Sequence, residues 1–214
     1  MRLINHQPML ISNAGYANQG VHIPSPNVDA RPAHEVSLIV IHNISLPPSQ
    51  YGGNGIVELF TNQLNPDEHP YYAEIYTRKV SAHFLIRRDG HLIQFVSCLQ
   101  RAWHAGQSNW QGRERCNDFS VGIELEGSDF EAFELAQYET LKNLITALKL
   151  AYPITAITGH SDIAPGRKTD PGDFLTGQKL LLKALNAHDK NNKYFVFMAL
   201  FSIFPLRLRR KRCR

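Results

Sequence analysis

The sequence predicts an α/β fold: a single domain with a central mixed β-sheet flanked by α-helices. Three observations carry that expectation. Strand-like and helix-like apolar patterns alternate along the chain, which is how a sheet covered by helices reads. The run VSLIVI, Val36 to Ile41, is unbroken β-branched and aliphatic sequence, as in a strand buried on both faces near the centre of a sheet. HFLIRRDGHLIQFV joins two apolar runs through Asp89-Gly90, residues that tolerate positive φ, so a hairpin adds an antiparallel pair to the sheet.

The remaining elements follow in chain order. After VSLIVI comes His42, then a loop, LPPSQYGGNG, and a short helix over IVELFTNQL. Asn65 to Lys79 reads as a long loop with Pro66 and Pro70, and CLQRAWHAGQSNWQGRERCND as a second one. SVGIELEG alternates, with Val121, Ile123 and Leu125 on one face and Gly122, Glu124 and Glu126 on the other. Ser128 and Glu131 have capping-box spacing, and a helix with an apolar stripe of Phe133, Leu141, Leu144, Ile145 and Leu148 is expected between Asp129 and Leu150, ended by Pro153. ITAIT is a short strand leading into His160, and FLTGQKLLLKALN a last helix weakened by Gly177.

With 214 residues the chain suits one domain with extensions. The expected division is an N-terminal extension over 1–30, part of or packed on the domain, then the domain over 31–187, and an apolar-then-basic tail over 188–214. The net charge of +4 is a property of the tail: without RLRRKRCR the chain holds 17 basic against 19 acidic residues. The body therefore has no charge signature of a nucleic-acid binder. Three cysteines, Cys98, Cys116 and Cys213, with no C-x-x-C, suit free thiols in a reducing compartment. No signal-peptide core opens the sequence and no apolar run reaches the roughly 18 residues of a spanning helix. These features make the expected location cytoplasmic. Tyr194 to Leu206, followed by the basic cluster, has the composition of a surface-lying membrane segment; packing on the domain or an extension without function is the favoured reading.

TGHSDIAPGRKTDPG, Thr158 to Gly172, sets a His, a Lys and an Asp among turn residues. His42 and His160 each end an apolar strand, where sites of α/β folds gather. Asp170 reads as a turn former before Pro-Gly, or as the third ligand of a two-His, one-carboxylate zinc site. Lys168 is a surface lysine or a partner for an oxyanion. Glu124 is a solvated strand residue or a general base. His83 and His104 are read as packed rings with backbone hydrogen bonds, and His6, His22, His34, His69, His91 and His188 as structural. The residues alone point to a zinc hydrolase, without the spacing of a helical H-E-x-x-H site.

Six segments, VIHNISLPP, DEHPYYAEI, VSAHFLIRRDG, RAWHAG, QGRERCNDFSVGIELEG and TGHSDIAPGRKTDPG, resemble the AmpD family in order, between about residues 36 and 185. These are cytoplasmic anhydro-N-acetylmuramoyl-L-alanine amidases of cell-wall recycling, related to T7 lysozyme and peptidoglycan recognition proteins. The resemblance implies one zinc ion held by His42, His160 and Asp170, with Glu124 and Lys168 as the catalytic pair. It implies substrate contacts at Asn43, Ala102 and Arg115, and at Lys79, where the family pattern has Arg. Lys lacks the bidentate fork that holds a carboxylate. The implied partner is a small muropeptide, with no nucleic acid, and the implied state a monomer. The alternatives are an amidase acting on polymeric peptidoglycan and a non-catalytic peptidoglycan-binding module.

Overall fold

The structure, a computed structural model, describes residues 7–172. The expected helix after residue 173, the apolar-basic tail, Cys213, His6 and His188 lie outside the described residues. The elements are β1 (Val21–His22), β2 (Val28–Ala30), β3 (Leu38–Ile44), α1 (Gly55–Phe60), α2 (Pro70–Ile75), β4 (Phe84–Ile86), β5 (Leu92–Gln94), β6 (Gln100–Ala102), β7 (Asn109–Trp110), β8 (Arg113–Glu114), β9 (Ser120–Glu126), α3 (Leu135–Ala151), β10 (Ala156–Gly159) and α4 (His160–Ile163). Six strands form one sheet in the order β1-β5-β4-β9-β3-β10. It is mixed: β4, β9, β3 and β10 run parallel, and β4 pairs antiparallel with β5. The expected α/β class is the one observed. Residues before position 31 contribute β1, paired with β5, and β2, paired with β6.

Alternation along the strands divides the interior. Ile39, Ile41, Phe84, Ile86, Val121, Ile123 and Leu125 join Leu141, Leu144, Ile145 and Leu148 of α3 in one apolar cluster. The opposite face of the sheet carries Leu85 against Ile56, Leu59 and Phe60 of α1 and Tyr72 and Ile75 of α2. It also carries Leu38 and Val40 against Ala105, Phe119 and Ile163. β9 is buried along its whole length, so Glu124 and Glu126 are enclosed rather than solvated. Gln137 of α3, fully buried, donates through Nε2 to the carbonyls of Ile86 and Glu126, which fixes the helix over β4 and β9.

Three local expectations change. Asn65–Lys79 holds a helix, because His69 caps it by accepting from Tyr71 N–H at 3.1 Å and Pro70 stands in the first turn, where its missing donor costs nothing. α3 begins at Leu135, with Gln137 Oε1 accepting from Glu134 N–H at 3.0 Å; Ser128 instead accepts from Phe130 N–H. The second long loop contains β6, the β7–β8 hairpin and a 3₁₀ turn at Cys116–Asp118. That hairpin turns through Gln111 and Gly112, both at positive φ, the conformation of a primed two-residue turn. The Asp89-Gly90 hairpin forms as expected, with β4 and β5 paired from Phe84↔Gln94 to Ile86↔Leu92.

Candidate active site

The parallel strands β3, β9 and β10 end at one edge of the sheet. His42 lies opposite Glu124 in the β3–β9 register, and Ile41 opposite Gly159 at the end of β10. Residues 82 positions apart in sequence thereby become cross-strand neighbours on the face opposite α3. His160 follows Gly159 directly, as the first residue of α4. Asp162 secures that start, its Oδ2 accepting from Gly159 N–H at 3.0 Å and from Thr158 Oγ1 at 2.9 Å.

The chain beyond α4 returns to the same place. Gly166 turns at φ +74°, Lys168 N–H donates to Ala164 O at 3.1 Å, and Ser161 N–H donates to Asp170 O at 2.8 Å. Asp129 fastens the return to the sheet: it accepts from Thr169 Oγ1 at 2.5 Å and from Asn43 Nδ2 at 2.7 Å. His42 Nδ1 and His160 Nδ1 stand 2.9 Å apart, and Asp170 Oδ2 lies 3.1 Å and 3.0 Å from them. Among the described residues these three form the one group of His, Cys and acidic side chains that could hold a metal ion.

The donor set fits zinc. Donors about 2.0–2.1 Å from a tetrahedral ion are separated by roughly 3.3 Å, close to the triangle observed. Burial pushes His42 down to about 4, against a smaller opposing effect of Asp170. Burial alone would raise Asp170, but the adjacent His160 and His42 rings outweigh it and hold the carboxyl below the usual range. A neutral imidazole and an ionised carboxylate are the forms that bind metal.

A cleft of about 360 Å³ opens over the triangle, and Glu124, Lys168, Asn43, Trp103 and Arg78 also line it. Glu124 is 8% exposed, and its Oε2 is buried with no hydrogen-bond partner. Burial raises this carboxyl well above the ordinary value; nearby Asp170 raises it further and Lys168 draws it back. A buried acceptor left unpaired is costly and marks a group held ready for a proton or a ligand.

The remaining sequence expectations divide. Ala102 ends β6 as a fully buried residue, outside the lining of the cleft. Arg115, at φ +58°, pairs with Asp118 at 3.2 Å and lines a neighbouring cleft of about 390 Å³ with Glu114 and Arg167. Lys79 is exposed and outside the cleft lining, while its neighbour Arg78 lines it. His104 was read as a packed ring, yet its Nδ1 lies 3.0 Å from His42 Nε2. Asp129, passed over in the sequence, links Asn43 to the loop bearing Lys168 and Asp170. Spacing along the chain signals neither role; both come from contacts across 62 and 86 or fewer positions.

Comparison with known proteins places the fold in a family. Residues 32–173 match the N-acetylmuramoyl-L-alanine amidase family. The 1,6-anhydro-N-acetylmuramyl-L-alanine amidase AmpD of Salmonella typhimurium strain SL1344 is 51% identical over 84% of this chain and 98% of its own length. AmpD of Escherichia coli K12 is 57% identical over 70% of this chain and 84% of its own. A selenomethionine AmpD crystal structure superposes with a TM-score of 0.79 at 50% identity, covering 84% of this chain and all of that one. Escherichia coli AmiD, solved in complex with the substrate anhydro-N-acetylmuramic acid-L-Ala-D-γ-Glu-L-Lys, gives 0.52 at 26% identity over 84% of this chain and 67% of its own. With a sheet edge that gathers two histidines, an aspartate and a buried glutamate, and with these matches over most of its length, the chain belongs to the N-acetylmuramoyl-L-alanine amidase family.

Proposed function

We propose that this amidase cleaves the amide between 1,6-anhydro-N-acetylmuramic acid and L-alanine in soluble muropeptides, using one zinc ion, in cytoplasmic peptidoglycan recycling. The observation that carries the reading is the convergence of His42, His160 and Asp170 beside the unpartnered, buried Glu124 Oε2. The substrate named for the AmpD relatives, and the muropeptide fragment in the AmiD complex, support the choice of bond.

His42, His160 and Asp170 would hold the ion. Zinc bound there supplies Lewis acidity, polarising a carbonyl and bringing the pKa of water down toward about 7. Glu124 takes a proton from the attacking water at Oε2 and delivers it to the leaving L-alanine nitrogen. A raised carboxyl pKa brings this group closer to the operating pH. Lys168 sets a positive charge on the cleft wall, where the oxyanion develops. Asn43 contacts the substrate from the cleft wall, and Arg115 and the Arg78-Lys79 pair anchor the carboxylates of the stem peptide, whereas Ala102, fully buried outside the cleft, makes no such contact. Residues 31–187 constitute the catalytic domain in this reading, with the segment before residue 31 adding β1 to its sheet, and the protein acts as a monomer. Among the described residues, no helix is long and apolar enough to cross a membrane.

Zinc quantification on the full chain, with mass spectrometry of products from an anhydro-muropeptide, tests the proposal. One zinc per chain, free peptide and anhydro-muramic acid are expected. Release from murein sacculi with the soluble substrate left intact would transfer the activity to polymeric peptidoglycan. Binding without cleavage of either substrate would make the chain a recognition module.

A further inference from the structure

We propose that His104 and Asn117 are positioning residues that set both histidines of the triad to present Nδ1 to the site before any ion arrives. The inference rests on the reading of His42, His160 and Asp170 as the metal triad.

Hydrogen-bond polarity can be followed inward from a group with no choice. The Cys116 carbonyl can only accept, and Ser120 Oγ lies 2.6 Å from it, so the single hydroxyl proton of Ser120 is committed there. Ser120 Oγ must then accept from His104 Nε2, 3.2 Å away. A neutral ring protonated at Nε2 accepts at Nδ1, so His42 Nε2 donates across the 3.0 Å contact to His104. His42 is left with a bare Nδ1 facing His160 and Asp170. A second arm reaches the other histidine. Ala105 O, also acceptor only, lies 3.1 Å from His160 Nε2, which fixes the proton there and frees Nδ1.

The two arms belong to consecutive residues, and one side chain holds their backbone. Asn117 Oδ1 accepts from His104 N–H at 3.1 Å and from Ala105 N–H at 2.8 Å. The Asn117 carbonyl in turn accepts from Arg31 Nη1 at 3.1 Å. Gly122 of β9 provides the seat for the His104 ring: a Cβ there would stand 2.4 Å from it. Every member is enclosed, with Ser120 at 0% exposure, Asn117 at 6% and His104 at 9%. Water therefore competes weakly for these bonds. Partners that orient a metal-binding histidine typically change metal affinity about 10–100-fold when removed.

Long-range ¹⁵N correlation spectra of the metal-free full chain read the tautomers directly. Unprotonated Nδ1 and protonated Nε2 are expected for both His42 and His160; a protonated His42 Nδ1 overturns the proposal. Zinc affinity by chelator competition supplies the second readout. His104→Leu and Asn117→Leu are each expected to lose about 10–100-fold, and His104→Leu to release the His42 tautomer. His104→Asn sets a carbonyl oxygen near the place of Nδ1, and Asn117→Asp keeps the double acceptor. Both are expected to stay within about threefold of the parent chain, well short of the loss of about 10–100-fold. Unchanged affinity in the two Leu variants, or equal losses in the Leu and conservative variants, refutes a positioning role. A parent chain that binds no zinc defeats the metal reading, while the ¹⁵N spectra still decide the tautomers.

Discussion

Glu124→Gln is expected to damage turnover and strengthen the metal-free fold at once. The parent carboxyl is buried, has one oxygen without a partner, and is raised well above its ordinary 4.5 by burial and by Asp170. Folded protein therefore holds the Glu124 proton to a higher pH than unfolded chain does. Between the two pKa values the folded state binds more protons, so its stability falls as pH rises, by up to about 1.4 kcal/mol per pH unit. Gln has nearly the same shape and no charge to lose. The stability difference, variant minus parent, should be small near pH 4, widen as pH passes 4.5, and level off above the folded-state pKa. Urea unfolding of both metal-free chains at several pH values measures this, and the subtraction cancels most groups they share. In the zinc-loaded chain, loss of the base should lower turnover about 10²–10⁴-fold with zinc retained, or roughly 2.7–5.5 kcal/mol of barrier. A difference that stays flat with pH would refute the burial argument. Turnover within threefold of the parent would refute the base.

Asp170→Ala removes one donor of three and leaves two buried rings; zinc content after dialysis should fall well below one per chain, and an unchanged content rejects the ligand. Lys168→Ala should lower turnover about 10²–10³-fold, the range for loss of one oxyanion-stabilising group, with zinc content unchanged; Lys168 reaches the cleft from an exposed loop, so the melting temperature should hardly move. His83, buried and beside Arg31, is held down to about 3. The unfolded chain takes up this proton near 6.5, so His83 lowers stability as pH falls from about 6.5 toward 3. His83→Gln should flatten acid unfolding in that window, and an unchanged acid transition would contradict it.

Local pattern made the sheet readable. The VSLIVI run, the Asp89-Gly90 turn and the alternation of SVGIELEG each report on neighbours within a few residues, and β3, the β4–β5 hairpin and β9 are where those patterns lie. Pro70 misled, because a proline that ends a helix from inside can also start one at its first turn. The cap of α3 was displaced from Ser128 to Glu134 because both stretches have the same spacing and tertiary packing decides between them. His42 and His160 stood out by their place after strands. Asp170 did not, since ten residues of turn sequence say nothing about where their end returns. His104 was the least legible: its neighbours in sequence are polar loop, and its meaning lies in a ring 62 positions away. At residues 78–79, the guanidinium lining the cleft belongs to the first position, although the family pattern directed attention to the second.

The triad is built on two supports of unequal strength. His42 and His160 are rooted in the central parallel strands, whereas Asp170 rides on a return loop fastened by Ser161, the Thr169–Asp129 pair and Arg167, which donates to Ala105 O and Gln107 O. An exposed loop, even one tied at several points, opens at lower free energy than a buried sheet unfolds. With zinc held there as proposed, metal exchange would proceed through detachment of one arm, leaving a two-histidine half-site intact behind it. The ion's residence time would then be set by that loop, and the melting temperature by the sheet. Substitutions at Asp129 or Thr169 would shift the first while leaving the second nearly where it is.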